Sequence, residues 1–262
     1  MSAARLAFVT GASSGIGQAL ALRLHRAGWR LALVARRVDA MQAWLQAQGI
    51  DATAAAVYRA DVRDVPAIVA AGHACIAAQG LPDVVIASAG ISIGMDTAEY
   101  DDLEVMRTIY ETHNLGTAAT FHPFVAAMRA RGSGALVGVA SVSGIRGLAG
   151  HGAYCSSKAA VISYCESLRI ELRGSGVTVT TLVPGYVDTP LSRGNPYRMP
   201  FIVPAEVFAE RALRAIERGE RYRVIPWQMA IVAGLMRMLP DAWFDRLASG
   251  RGRKPRQPRP PA

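Results

Sequence analysis

The sequence predicts a doubly wound α/β fold, with one parallel sheet between two layers of helices in a three-layer αβα sandwich. Three observations predict it. Short apolar runs recur at 6–10, 31–35, 54–59, 84–87, 135–140, 177–183 and 222–225. Segments of helical period lie between them at 16–27, 40–48, 65–79, 103–131, 153–173 and 205–218, and alternation of this kind builds βαβ units. The runs are also apolar at successive positions, as strands covered on both faces must be, whereas a sheet with one wet face alternates.

The 262 residues hold no internal repeat and no linker before residue 249, so the reading is a single domain over 1–249. No basic stretch leading into a long apolar one precedes the first strand, and the expected location is cytoplasmic. Residues 250–262 read as a disordered, basic, proline-rich tail. Of the net charge of +9, Arg251, Arg253, Lys254, Arg256 and Arg259 carry five, leaving +4 for residues 1–250. That remainder is unremarkable, so nucleic acid is not an expected partner. Cys75, Cys155 and Cys165 are too few and too scattered for a disulfide framework,. The five histidines show no ligand spacing, and no metal is expected,.

The first strand runs into Gly11-Ala12-Ser13-Ser14-Gly15-Ile16-Gly17, with a helix directly after it. Gly11 permits the tight turn, Gly15 lets backbone approach a pyrophosphate, and Gly17 lets the helix pack close to the sheet. The free N–H groups of the helix N-terminus then face the phosphates. This placement predicts a Rossmann-like dinucleotide site. The second strand ends in Arg36-Arg37 with no acid before Asp39. A carboxylate there would suit NAD, while guanidinium groups suit a 2′-phosphate. The predicted cofactor is NADP(H).

The chemistry lies between Ser141 and Lys158. Tyr154 and Lys158 are four residues apart on a predicted helix and share a face,. An ammonium beside a phenol draws its pKa toward the working range, and the Ser141 hydroxyl can hold a substrate oxygen. The chain has two lysines against 27 arginines, and one of the two is Lys158.

Taken together, these motifs resemble the short-chain dehydrogenase/reductase superfamily in its compact single-domain branch, over about residues 5 to 226. Asp61-Val62, Ser88-Ala89-Gly90, Asn114, Pro184-Gly185, Val187 and Thr189 complete the pattern. The resemblance implies that Tyr154 exchanges the proton and Ser141 orients the carbonyl. It gives Lys158 the nicotinamide ribose and the lowering of the phenol's pKa. It implies that Asn114 anchors a water, Asp61 and Val62 contact adenine, and Val187 and Thr189 hold the carboxamide. Ser88 stands where the family has asparagine, and a shorter-reaching hydrogen bond to a neighbouring strand is expected there.

Residues 186–203 lack a clear period and carry Leu191, Pro196, Tyr197, Met199, Phe201 and Ile202. This is the expected substrate lid, with Arg146, Leu148 and His151 at the pocket mouth. The apolar stretch 224–239 is too short and too interrupted for a membrane span,. Three readings stand for it: a subunit contact in a homodimer or homotetramer, a cover over the substrate site, or an amphipathic helix at a membrane surface. The expected activity is reversible hydride transfer between NADP(H) and the carbonyl or alcohol carbon of an apolar aldehyde, ketone or secondary alcohol. Two alternatives are a non-catalytic NADP(H) sensor or scaffold, which would bind without turnover, and a membrane-surface lipid-binding protein led by 224–239.

Overall fold

The computed structural model describes residues 4–195, 198–249 and 253–256. Seven parallel strands form the main sheet: β1 (Leu6–Thr10), β2 (Arg30–Ala35), β3 (Ala55–Arg59), β4 (Val84–Ala87), β5 (Gly134–Val139), β6 (Val177–Pro184) and β9 (Tyr222–Ile225). Their order is β3-β2-β1-β4-β5-β6-β9. Consecutive strands thus run outward in one direction to β3 and in the other from β4. The reversal between β1 and β4 opens a crevice beyond their C-terminal ends, where such sheets take ligands.

Successive side chains on β1 divide between the two faces, as the period of a strand requires. Ala7 and Val9 join Leu20 and Leu24 of α1 (Gly15–Arg26), Met41 and Leu45 of α2 (Val38–Ala47), and Phe208 and Leu213 of α8 (Ala205–Glu217). Leu6 and Phe8 join Ile68 of α3 (Val65–Gln79), Phe121 and Phe124 of α5 (Gly116–Arg131), and Val161 and Leu168 of α6 (Gly152–Glu171). The three-layer sandwich expected from the apolar runs is present, and all seven expected strands form.

The expected helix over 103–131 is interrupted. It begins as α4 (Asp102–Tyr110), widens into a π turn over Glu111–Leu115, and resumes as α5. Residues 186–203 carry β7 (Val187–Asp188), the single turn α7 (Pro190–Arg193) and the start of β8 (Val203–Pro204), with β7 and β8 paired in parallel. Pro196 and Tyr197 lie outside the described residues.

The stretch 224–239 ends β9 and then forms α9 (Trp227–Met238), followed by α10 (Asp241–Ser249). Met229 and Ala233 of α9 are buried against the body, while Trp227, Ile231, Leu235 and Met238 face outward. No described helix is long and apolar enough to cross a membrane. Arg146, expected at the pocket mouth, is turned away from it. It donates to the carbonyl oxygens of Met236 (3.2 Å) and Leu239 (3.0 Å), to Asp241 (3.0 Å), and lies over the Phe244 ring. The free carbonyls at the end of α9 outcompete the pocket for this guanidinium.

Residues 253–256 depart from the expectation of a solvated tail. Arg253 pairs with Asp96 (2.8 Å) and Arg256 with Asp102 (2.7 Å), so this segment is strapped to the loop after β4 and to the start of α4. Residues 250–252 and 257–262, the rest of that expected tail, lie outside the described residues.

Phe8 and Phe124 pack at a ring separation of 4.8 Å, both fully buried, and join the sheet to α5. Phe124→Ala should lower unfolding stability by about 3–5 kcal/mol in urea denaturation, the range for deleting a buried aromatic ring.

Candidate active site

One pocket of about 670 Å³ lies over the crevice between β1 and β4. Of the residues singled out in the sequence, Gly11, Ser13, Ser14, Gly15, Ile16, Gly17, Arg36, Asp61 and Val62 line its one end. Ser88, Ala89, Gly90, Ser141, Tyr154, Lys158, Pro184, Gly185, Val187 and Thr189 line the rest. Arg37 and Asn114 do not line it.

Gly11 takes φ +67°, and a Cβ on it would stand 2.7 Å from the backbone of Ala89, so only glycine lets β1 turn this close to the end of β4. Ser14 caps α1 in extended conformation without a side-chain hydrogen bond to the helix, which leaves the first-turn N–H groups open toward the pocket. Thr189 closes over this turn, since a Cβ on Gly15 would meet it at 3.3 Å. The C-terminal end of β1, a helix N-terminus and Thr189 thus form a cradle of the kind a pyrophosphate occupies.

Beside that cradle, Arg63 pairs with Asp61 at 2.8 Å and Arg36 approaches the same carboxylate at 3.7 Å. The Arg63 hydrogen bond holds the Asp61 carboxyl below its ordinary range. Arg63 also lines the pocket. Sequence reasoning passed over it, although it directly follows Asp61-Val62 and is as basic as Arg36.

At the other end, Lys158 is 6% exposed. Its Nζ donates to the Val139 carbonyl at 2.9 Å and stands 5.9 Å from the centroid of the Tyr154 ring. Burial pulls the ammonium down to about 8. Burial also pushes the Tyr154 phenol up to about 12, and the group that draws it back is Ser141, through a hydrogen bond. Burial thus outweighs the Ser141 hydrogen bond at the phenol, while the Lys158 Nζ is directed to the Val139 carbonyl. Ser141 in turn accepts from the Ser143 N–H at 3.1 Å, which fixes its hydroxyl at the mouth of the 3-10 turn Val142–Gly144.

The π turn supplies a residue that no sequence signal marked. His113 is buried, with Nε2 accepting from the Ile91 N–H at 3.0 Å and Nδ1 lying 2.8 Å from the Ser157 hydroxyl. Since a backbone N–H can only donate, Nε2 is bare and Nδ1 carries the proton. Burial first, and the Lys158 charge second, hold this imidazole well below its ordinary pKa. Ser157 passes the chain on by donating to the Tyr154 carbonyl at 2.9 Å. Asn114, on the same π turn, donates to the Ser157 carbonyl at 2.9 Å, while its Oδ1 is buried with no hydrogen-bond partner among the described residues. Such an atom is suited to holding a water.

Two further expectations need correction. The Ser88 hydroxyl is buried without a hydrogen-bond partner among the described residues, so it makes no link to a neighbouring strand. The link runs the other way, from the Ser88 N–H to the Thr10 hydroxyl at 3.2 Å. Leu148 does not line the pocket, whereas His151 does. The Cys155 thiol, next to Tyr154, is buried and pushed up to about 11, which keeps it in the unreactive thiol form.

Known proteins are similar over nearly the whole chain. The profile of the family described as short chain dehydrogenase matches residues 5–197. An uncharacterized oxidoreductase of Myxococcus xanthus is 40% identical over 245 residues, covering 93% of this chain and 96% of that protein. An acetoacetyl-CoA reductase of Acinetobacter is 33% identical over 194 residues, covering 73% and 77%. Among solved structures, an alcohol dehydrogenase from the archaeon Thermococcus sibiricus complexed with 5-hydroxy-NADP has a TM-score of 0.73 at 27% identity, covering 84% of this chain and 95% of that one. The chain belongs to the short-chain dehydrogenase family, oxidoreductases that use NAD(P)(H).

Because the chain has only two lysines, protein labelled with 13C at the lysine ε-carbon should give two side-chain NMR signals. One of them should titrate near pH 8, assigned to Lys158 by its loss in Lys158→Met, rather than at the ordinary 10.5. A midpoint above 10 would contradict the burial of that ammonium.

Proposed function

We propose that the protein transfers a hydride between NADP(H) and the carbonyl or alcohol carbon of a small, largely apolar substrate, with Tyr154 as acid and base. The observation that carries this reading is the convergence of Ser141, Tyr154 and Lys158 on the pocket that also holds the glycine turn. When bound, the cofactor supplies or accepts the hydride. The protein's own part is positioning and proton transfer. The Ser13–Gly17 backbone takes the pyrophosphate, and Lys158, protonated below about pH 8, takes ribose hydroxyls. Ser141 holds the substrate oxygen against the phenol, so that Tyr154 gives its proton to that oxygen in reduction and accepts it in oxidation. A phenol held near 12 keeps its proton at neutral pH, the form that donates to the carbonyl oxygen in reduction. Ile91, Ile93 and Leu191 in the lining suit an apolar substrate body.

The preference for NADP(H) rests on charge. β2 ends at Ala35 with Arg36 beside the pocket, and Arg63 stands on its other side with Asp61 between them. Two guanidinium groups against one carboxylate leave a net positive rim for a 2′-phosphate.

Tyr154→Phe should lose nearly all turnover, at least a thousandfold in kcat or about 4 kcal/mol of barrier, with NADPH affinity little changed by fluorescence titration. Turnover close to the parent's would remove Tyr154 from this role. For the cofactor, wild type should favour NADPH over NADH. Arg36→Ala should lower kcat/KM for NADPH about tenfold, the scale of one charge-assisted hydrogen bond, with NADH little affected. Equal loss with both cofactors would count against a 2′-phosphate site.

A further inference from the structure

Both lysines of this chain reach the same pocket. Lys158 arrives on α6, and Lys254 arrives 96 positions later on a segment whose sequence reads as tail. The strap that carries Lys254 is clasped on both sides. Arg253 pairs with Asp96 at 2.8 Å and donates to the Met95 carbonyl at 3.3 Å. Arg256 forms a two-pronged pair with the buried Asp102, at 2.7 and 3.1 Å, and reaches Glu99 at 3.5 Å. The backbone of Arg256 bridges to Gly94, and the carbonyls of Lys254 and Pro255 lie so close to Gly94 that no side chain fits there.

Between these two clasps, Lys254 turns inward. Its Nζ donates to the Ser92 hydroxyl at 2.6 Å, and its side chain lines the pocket together with His151 and Tyr154. Its charge is felt at His151, which burial and then Lys254 hold down at about 4. The His151 ring stands 6.3 Å from that of Tyr154. Arginines on either side of it have carboxylates, but among the described residues Lys254 is in no ion pair. A half-buried ammonium with only a hydroxyl for company is poorly compensated, and an incoming anion relieves that cost.

We propose that Lys254, with Ser92, anchors a carboxylate on the substrate, so that this site takes carbonyl or hydroxyl compounds with an apolar body and an acid group. A single ammonium and one hydroxyl match a carboxylate, whereas a phosphate calls for more donors. This deepens the hydride-transfer reading and rests on it for the reacting carbon, though not for the anion site.

The probes are 4-oxo-4-phenylbutanoate and its methyl ester, tested on the full chain labelled at lysine and saturated with NADP⁺. The keto acid should shift the Lys254 NMR signal in a saturable way and the ester should not. In turnover with NADPH, kcat/KM should favour the acid about tenfold over the ester, falling to a ratio near one in Lys254→Gln and recovering in part in Lys254→Arg. Reduction of acid and ester with equal kcat/KM by wild type, or a Lys254 signal that responds to the cofactor alone, would overturn the proposal. A saturable, acid-specific shift with neither compound reduced would uphold the anion site while removing the hydride-transfer reading.

Discussion

The site depends on keeping an ammonium in a nearly dry place without a carboxylate beside it. Lys158 meets that constraint with a backbone carbonyl, that of Val139 at the end of β5. Burial therefore loosens its proton, to about 8, with no carboxylate among the described residues to offset the cost. That looseness has a consequence for its neighbours. A second cation nearby would raise the cost further, and His113 stays neutral for the same reason, since burial and the Lys158 charge both oppose its protonation. A neutral imidazole is the form that can accept from Ile91 and donate to Ser157 at once.

The His113 network explains how α6 is held. Tyr154 and Lys158 project from the same face of that helix, but their height above the sheet is set by what α6 leans on. Ser157 is buried between them, with its hydroxyl against His113 and its carbonyl taking the Asn114 amide. Both partners come from the π turn. One extra residue per turn changes the phase of the helix, so that two adjacent residues, His113 and Asn114, both meet Ser157.

What the sequence makes legible here is whatever is encoded locally. Strands such as β1, β2 and β4 are apparent because burial on both faces demands unbroken apolar runs,. The glycine turn is apparent because a close strand-to-helix passage excludes side chains. The Tyr154 and Lys158 pair is apparent because four residues equal one helical turn. The π turn is not, since Glu111–Leu115 contains nothing that distinguishes it from ordinary helix; its stability comes from contacts with α6 that lie 40 residues away in sequence. The strap at 253–256 is hidden for a related reason. It has no apolar side chains to bury, and its composition is that of a solvated tail. Its place is set by acids at 96, 99 and 102, more than 150 positions earlier. Arg146 belongs to the same class, because its partners are carbonyls at the end of a helix that the local pattern left undecided.

The use of basic residues along the pocket follows its depth. At the open end, Arg36 and Arg63 flank Asp61, with the Arg36 side chain 68% exposed. A guanidinium keeps its charge at any working pH and offers a planar fork, which suits a fixed electrostatic rim. At the enclosed end the chain uses its two lysines, and burial lowers both of them. A lysine there can be neutral or charged at modest cost and occupies a point rather than a plane. In a chain that chooses arginine at 27 of its 29 basic positions, both exceptions fall on the lining of this pocket. The pocket is thus graded from a permanent charge at its rim to adjustable charges beside the phenol.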